Sequence, residues 1–240
     1  MFPAIQFGRV FGIPLQARVS FLVMLAAVLL FMGGLTGMIV VLLAFASVIL
    51  HELGHALVAR KLGVGVSAIE LHFFGGIAKL TSQPRSPKDE AIIAAAGPAV
   101  SLALAGVGYL LYAATGLGGL ALVGGVNLVI ALFNLLPALP MDGGRIFRAL
   151  LSLRLGHRQA TEISVKLSRV VSVVFAVLGL AFMQLQLVLL AGVLWYMATA
   201  ESNMAKNIPY GMRRTRNPMS PDHDQRPERV VVVRYSQRRN

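Results

Sequence analysis

"SVILHELGHALVARKLG", residues 47–63, decides how this chain must be read. It sets His51, Glu52 and His55 at the end of a run apolar enough to lie in lipid. Ionisable groups are costly to bury unless they are paired or bind a metal, and inside a membrane span they mark function by default. "HELGH" is an H-E-x-x-H pattern. Residues four apart share one face of a helix, so His51 and His55 can both direct ring nitrogens at a single zinc ion. Glu52 follows about 100° around the helix, placed to act as general base beside the metal without ligating it. The competing reading is a pair of packed core histidines.

The composition around this stretch is that of a membrane protein. The 240 residues are 56% hydrophobic and 13% charged, too few polar side chains to cover a soluble domain. The net charge of +12 is placed at the ends of apolar runs and in the C-terminal tail, which argues for a lipid bilayer and against nucleic acid as the partner. The chain has no cysteine, which excludes disulfides, thiolate metal sites and a cysteine nucleophile.

A span needs roughly 20 apolar residues. The sequence predicts six: about Val19–Met32, extended at its start by "PLQA"; Met38–Leu57; Ala91–Ala114; Leu120–Leu136; and two within Val165–Ala200, split by "MQLQ". The expected fold is therefore an all-α polytopic membrane protein with about six transmembrane helices and one small membrane-associated β-hairpin. Residues 1–200 form the core and 201–240 a basic tail. Arg9 and Arg18 precede the first span. Arg60, Lys61, Lys79, Arg85 and Lys88 lie between the second and third, and Arg145, Arg148, Arg154, Arg158 and Lys166 between the fourth and fifth. The alternate turns "GGLTG", "TGLGG" and "MQLQ" contain no Lys or Arg. This asymmetry puts both termini and every charged loop in the cytoplasm.

A catalytic zinc takes a third protein ligand and keeps one position open. Asp142, in "LPALPMDGGR", falls at the cytoplasmic end of the fourth span, in the same leaflet as the histidines. Pro137 and Pro140 resist helix, and Gly143 and Gly144 permit a tight turn around the aspartate. Topology and turn chemistry favour Asp142 as the ligand over a role as cap of the next helix. His72, on the loop after the HELGH helix, is the next candidate.

"HELGH" at the end of one span, followed by "FNLLPALPMDGGR" after a later one, resembles the site-2 protease family of intramembrane zinc metalloproteases. The resemblance covers about Phe45–Ala149 and is nearest to the sporulation-factor proteases, where six spans are expected. Other family members add CBS or PDZ modules, for which this sequence has no room. The resemblance implies His51, His55 and Asp142 as ligands of one Zn2+ per chain and Glu52 as the acid/base catalyst. It also implies a membrane-protein substrate.

Cleavage within a membrane requires an unwound substrate, because a helix shields its own peptide bonds. "VSAIELHFFGGIAKLTS" has strand propensity, and Gly75–Gly76 supplies a bend or bulge. Such a hairpin offers an edge to which an extended peptide can add as a further strand, and in the family the matching segment is a membrane-re-entrant hairpin near the active site. Asn134, closing the fourth span, corresponds to a family asparagine that hydrogen-bonds substrate; locally it also reads as a helix C-cap. "AAAGPAVSLALAG" reads as helix packing with a kink at Gly97–Pro98, and Ser101 stands where the family usually has asparagine, without a catalytic role. The tail reads as a segment on or near the anionic inner leaflet. A metal transporter or sensor is the rival class, but it would distribute carboxylates along a pathway, whereas the polar cluster here sits at one face. An inactive scaffold is the third, opposed by the intact Glu52. A regulatory protein partner and a homo-oligomer are both compatible with the sequence, which identifies neither.

Overall fold

The computed structural model describes residues 4–31, 34–72 and 75–207. Met32, the Phe73–Phe74 turn of the expected hairpin and the tail from 208 onward lie outside them. Seven α-helices and four β-strands occur among the described residues. In chain order they are β1 (Ile5–Val10), β2 (Ile13–Ala17), α1 (Val19–Phe31), α2 (Gly34–Lys61), β3 (Val66–His72), β4 (Gly75–Leu80), α3 (Pro87–Thr115), α4 (Gly118–Asn134), α5 (Asp142–Leu155), α6 (His157–Ala181) and α7 (Leu185–Asn207).

Four of these helices are long and apolar enough to cross a membrane: Gly37–Lys61 of α2, Pro87–Thr115, His157–Ala181 and Leu185–Asn203 of α7. The apolar α4 is shorter, at 17 residues, and α1 has 13. The single long run from Val165 to Ala200 does divide near "MQLQ", because the chain turns at Phe182–Gln184, with Met183 at φ +52°.

The sheet departs from expectation. "PLQA" does not extend the first span but belongs to β2, and the sheet has four strands rather than two. β2 shows strict alternation, with Ile13, Leu15 and Ala17 buried. That period of two builds a half-buried strand, a signal that the adjoining apolar run of α1 hides. The strand order is β1-β2-β3-β4, antiparallel except for the parallel pairing of β2 with β3, in which Gln16 faces Glu70. One face of the sheet packs on α2 through Ile13, Leu15 and Ile69 against Leu53 and Ala56. β4 is a free edge.

Two charged clusters hold these elements together. Glu70 on β3 is buried and receives Arg18 Nε at 3.0 Å, with Lys79 Nζ at 2.6 Å and His72 Nε2 at 3.3 Å. Burial alone would raise its pKa, but Lys79 and Arg18 hold the carboxyl below the usual range. Arg18 also donates its backbone N–H to Leu71 O, tying the start of α1 to the sheet. Among the helices, Arg148 of α5 pairs with Glu90 of α3 and Glu201 of α7. α3 starts with Ser86 as N-cap, its side chain accepting the Asp89 N–H, and runs unbroken through Pro98 to a left-handed Gly116.

Removing one member of a buried ion cluster strands the others without compensation, at a cost of about 3–5 kcal/mol. Arg148→Ala is therefore expected to lower the thermal unfolding midpoint in detergent well below that of the parent; an unchanged midpoint would show that the triad contributes nothing to stability.

Candidate metal centre

The centre is assembled where α2, α3 and the first turn of α5 converge. α2 presents His51 and His55 one turn apart, both buried. α3 packs alongside with a matching stripe of residues four apart, Ile93, Gly97 and Ser101, all buried. His51 Nδ1 lies 2.9 Å from Ser101 Oγ, and His55 Nδ1 lies 2.7 Å from the carbonyl of Ile93. A carbonyl can only accept, so His55 carries its proton on Nδ1, and Nε2 presents a lone pair inward. The same tautomer on His51 lets Ser101 Oγ accept.

Asp142 completes the group. Its Oδ2 is 3.1 Å from His51 Nε2 and 3.1 Å from His55 Nε2, and the two ring nitrogens are 3.2 Å apart. A tetrahedral zinc with bonds of about 2.0–2.1 Å separates its donors by about 3.3 Å, so the triangle is close to that size. Two imidazole lone pairs and a carboxylate oxygen cannot face one another at this distance without positive charge among them, and a divalent cation supplies it. Gly97 provides the space. A Cβ there would fall 2.2 Å from His55 Nε2 and 2.6 Å from His51 Nε2. Among the described residues, these three form the group able to hold a metal. Arg145 Nη1, 3.7 Å from Asp142 Oδ1, favours the ionised carboxylate that a metal ligand must be.

The segment carrying Asp142 is shaped differently from the expected turn. Asp142 is the first residue of α5 and caps nothing; the N-cap is Met141, with no side-chain cap hydrogen bond. Gly143 and Gly144 lie within the first turn of that helix. Close packing requires glycine there, since a Cβ at Gly143 would come within 2.2 Å of Leu135 O. The loop is anchored by Ser168 Oγ of α6, which accepts the Leu139 N–H at 2.7 Å.

Glu52 lies to one side of the triangle, where Oε2 accepts the backbone N–H of Ala78 on β4 at 3.0 Å. Gly76 permits this approach, because a Cβ there would fall 2.8 Å from Glu52 Cγ. Gly75 takes φ +136°, which favours glycine. His72 is not part of the centre and turns instead to Glu70. Asn134 ends α4 with its Nδ2 donating to Ile130 O at 2.9 Å; the capping residue is Leu135 in the right-handed region. Two polar partners differ from the sequence reading, which took Ser101 as packing and did not consider Asn127. Ser101 orients His51, and the buried Asn127 of α4 donates to Ser47 Oγ at 2.9 Å, one turn before His51. The i, i+4 spacing of Ile93, Gly97 and Ser101, matching that of the histidines, was the available signal for the first.

The profile of Peptidase family M50 matches residues 38–118 and 117–179. A zinc metalloprotease of Methanocaldococcus jannaschii is 32% identical over 212 residues, covering 85% of this chain and 62% of its own length. Rip3 of Mycobacterium tuberculosis is 38% identical over 205 residues, 74% of this chain and 51% of its own. The chain thus spans 62% and 51% of the lengths of these two relatives, less than two thirds of either. Among solved structures, the site-2 protease from Methanocaldococcus jannaschii superposes with a TM-score of 0.64 at 32% identity, covering 83% of this chain and 95% of that one.

The donor geometry makes two predictions for metal content, measured on purified protein. Asp142→Ala is expected to lose the metal; if metal per chain stays at the parent level, Asp142 is not a ligand. Ser101→Ala, which frees the His51 ring, is expected to weaken zinc affinity about 10–100-fold, and an unchanged affinity would remove Ser101 from the centre.

Proposed function

This chain belongs to Peptidase family M50, the site-2 protease family of membrane zinc metalloproteases, and on that premise we propose that it is an intramembrane endopeptidase. Its substrates are transmembrane or signal-peptide-like segments, cut near the cytoplasmic face. The observation that carries this reading is the buried triangle of His51, His55 and Asp142 with the Glu52 carboxylate beside it.

Zinc, when held by these three side chains, supplies a Lewis acid that polarises a carbonyl and acidifies water. The remaining chemistry belongs to the protein. Glu52 takes a proton from the attacking water and delivers it to the leaving amine, the two halves of general base and acid catalysis. Ser101 and the Ile93 carbonyl fix both imidazole tautomers, an arrangement that strengthens the ligands and holds their ring planes. The free edge of β4, with Gly75 and Gly76 at its start, receives an extended substrate as an added strand. The Asn134 amide supplies a further hydrogen bond to that backbone. Pairing with an edge strand compensates the backbone groups that a substrate exposes when it unwinds in an apolar medium.

In the bilayer, α1, α2, α3, α4, α6 and α7 make six crossings, with both termini cytoplasmic. The distribution of Lys and Arg supports this orientation, since Arg60 and Lys61 close α2 while the alternate turns lack both. His51 lies ten residues before Lys61, about 15 Å along the helix. That depth is inside the hydrocarbon yet close enough for water to enter from the cytoplasmic side. The amphipathic α5, carrying Arg145, Arg148 and Arg154, lies at that boundary. The partners are a membrane-protein substrate and the bilayer itself.

Glu52→Gln tests the assignment. The variant is expected to keep the parent's metal content and to lose cleavage of a co-expressed single-span substrate by at least about 100-fold. Cleavage at the parent rate would contradict the role given to Glu52.

A further inference from the structure

The Ala78 amide sits at an unusual junction. A strand N–H lies in the plane of its sheet, and β3 occupies one side of β4. Ala78 faces Ile69 across that ladder, but its N–H donates to Glu52 Oε2 at 3.0 Å. It therefore leaves the sheet by the free edge. The contact is built: Gly76 lets β4 press against α2 at Val48 and Glu52, where a Cβ would fall 3.0 and 2.8 Å from those side chains. Ala78 itself packs against the core of Ile13, Leu53, Ala56 and Ile69, so the donor is held by a rigid support. A hydrogen bond to an ionised acceptor is stronger than a neutral one, and it fixes which carboxylate oxygen is engaged and which remains available.

We propose that the main-chain N–H of Ala78 is a positioning group for Glu52, so that the strand edge that pairs with the substrate also sets the direction of the general base. This rests on the reading of Glu52 as base and β4 as the substrate's edge. It gives β4 two tasks within three residues. Gly76 admits the carboxylate and Ala78 orients it, while the neighbouring groups of the same edge stay open to an extended peptide. A displacement of about 1 Å at a catalytic group can cost 100-fold in rate, so a shift of β4 registers directly in turnover.

Two measurements on the zinc-loaded full chain test this. The first is amide hydrogen exchange at residue resolution. Edge-facing amides exchange quickly unless they are bonded, so Glu52→Ala should speed exchange at Ala78 by about tenfold or more. The ladder-bonded amides of β4 should remain protected. Equal exchange at Ala78 in parent and Glu52→Ala would overturn the proposal. This arm needs no substrate, so it stands even if the protein cleaves nothing. The second measurement compares Ala78→Pro, which removes the N–H without removing a ladder bond, with Ala78→Gly, which keeps it. kcat should be about tenfold lower in the proline variant, with KM and metal content alike in both. Equal kcat values would overturn the proposal while leaving the Glu52→Gln test of the base untouched. If the proline disrupts the ladder, as its exchange would reveal, an amide-to-ester replacement at residue 78 removes the same donor and is read by the same two outcomes.

Discussion

Two imidazole lone pairs and one carboxylate oxygen, facing one another at 3.1–3.2 Å inside an apolar helix bundle, are the constraint on which the rest of this structure depends. Such a group is unstable unless a cation is held within it and every outer hydrogen bond of the rings is satisfied. The outer bonds come from α3, so α3 must pack close to α2 with glycine at position 97 and a hydroxyl at 101. The carboxylate comes from the first residue of α5, so the loop between α4 and α5 must enter the bundle. Ser168 holds its backbone, and Gly143 and Gly144 let α5 begin against it. What looks like a set of separate small-residue positions is one packing solution around three ligand atoms.

The sheet solves a second problem. A membrane helix bundle has no free backbone to offer an unwound peptide, and an exposed edge strand is otherwise a liability. Here the edge is placed beside Glu52, and the sheet is fastened to the bundle by apolar packing on α2 and by the Arg18–Glu70–Lys79 cluster. The added hairpin β1–β2 gives β3 a second strand neighbour in the half-buried β2.

How much of this could be read beforehand follows from the range of each interaction. His51, Glu52 and His55 are related by helical spacing alone, so the local pattern sufficed. Asp142 needed topology as well, because it is ninety residues away; the ends of the expected spans bring it toward the histidines, and the structure groups the three side chains. The hairpin β3–β4 was visible through its β-branched residues and paired glycines. β2 was not, since five alternating residues running into an apolar helix look like more of that helix, and its parallel partner β3 lies some fifty residues on. Ser101 reads in the sequence as packing, and its bond to His51 is set by a partner fifty residues away; Asn127 and the Ala78 amide are likewise defined only by their partners across the fold. Hydropathy marks the apolar runs but not the length of helix each one forms, so it does not show that α1 has 13 residues and α4 17, against the roughly 20 of a full span.

X-ray absorption at the zinc edge of the purified full chain reads the ligand set itself. The expected result is a four-coordinate nitrogen and oxygen shell at about 2.0–2.1 Å, with outer-ring scattering that fits two imidazoles and drops to one in His55→Ala. Scattering that requires three imidazoles would bring His72 back as a ligand, and a six-oxygen shell without imidazole would contradict the site altogether.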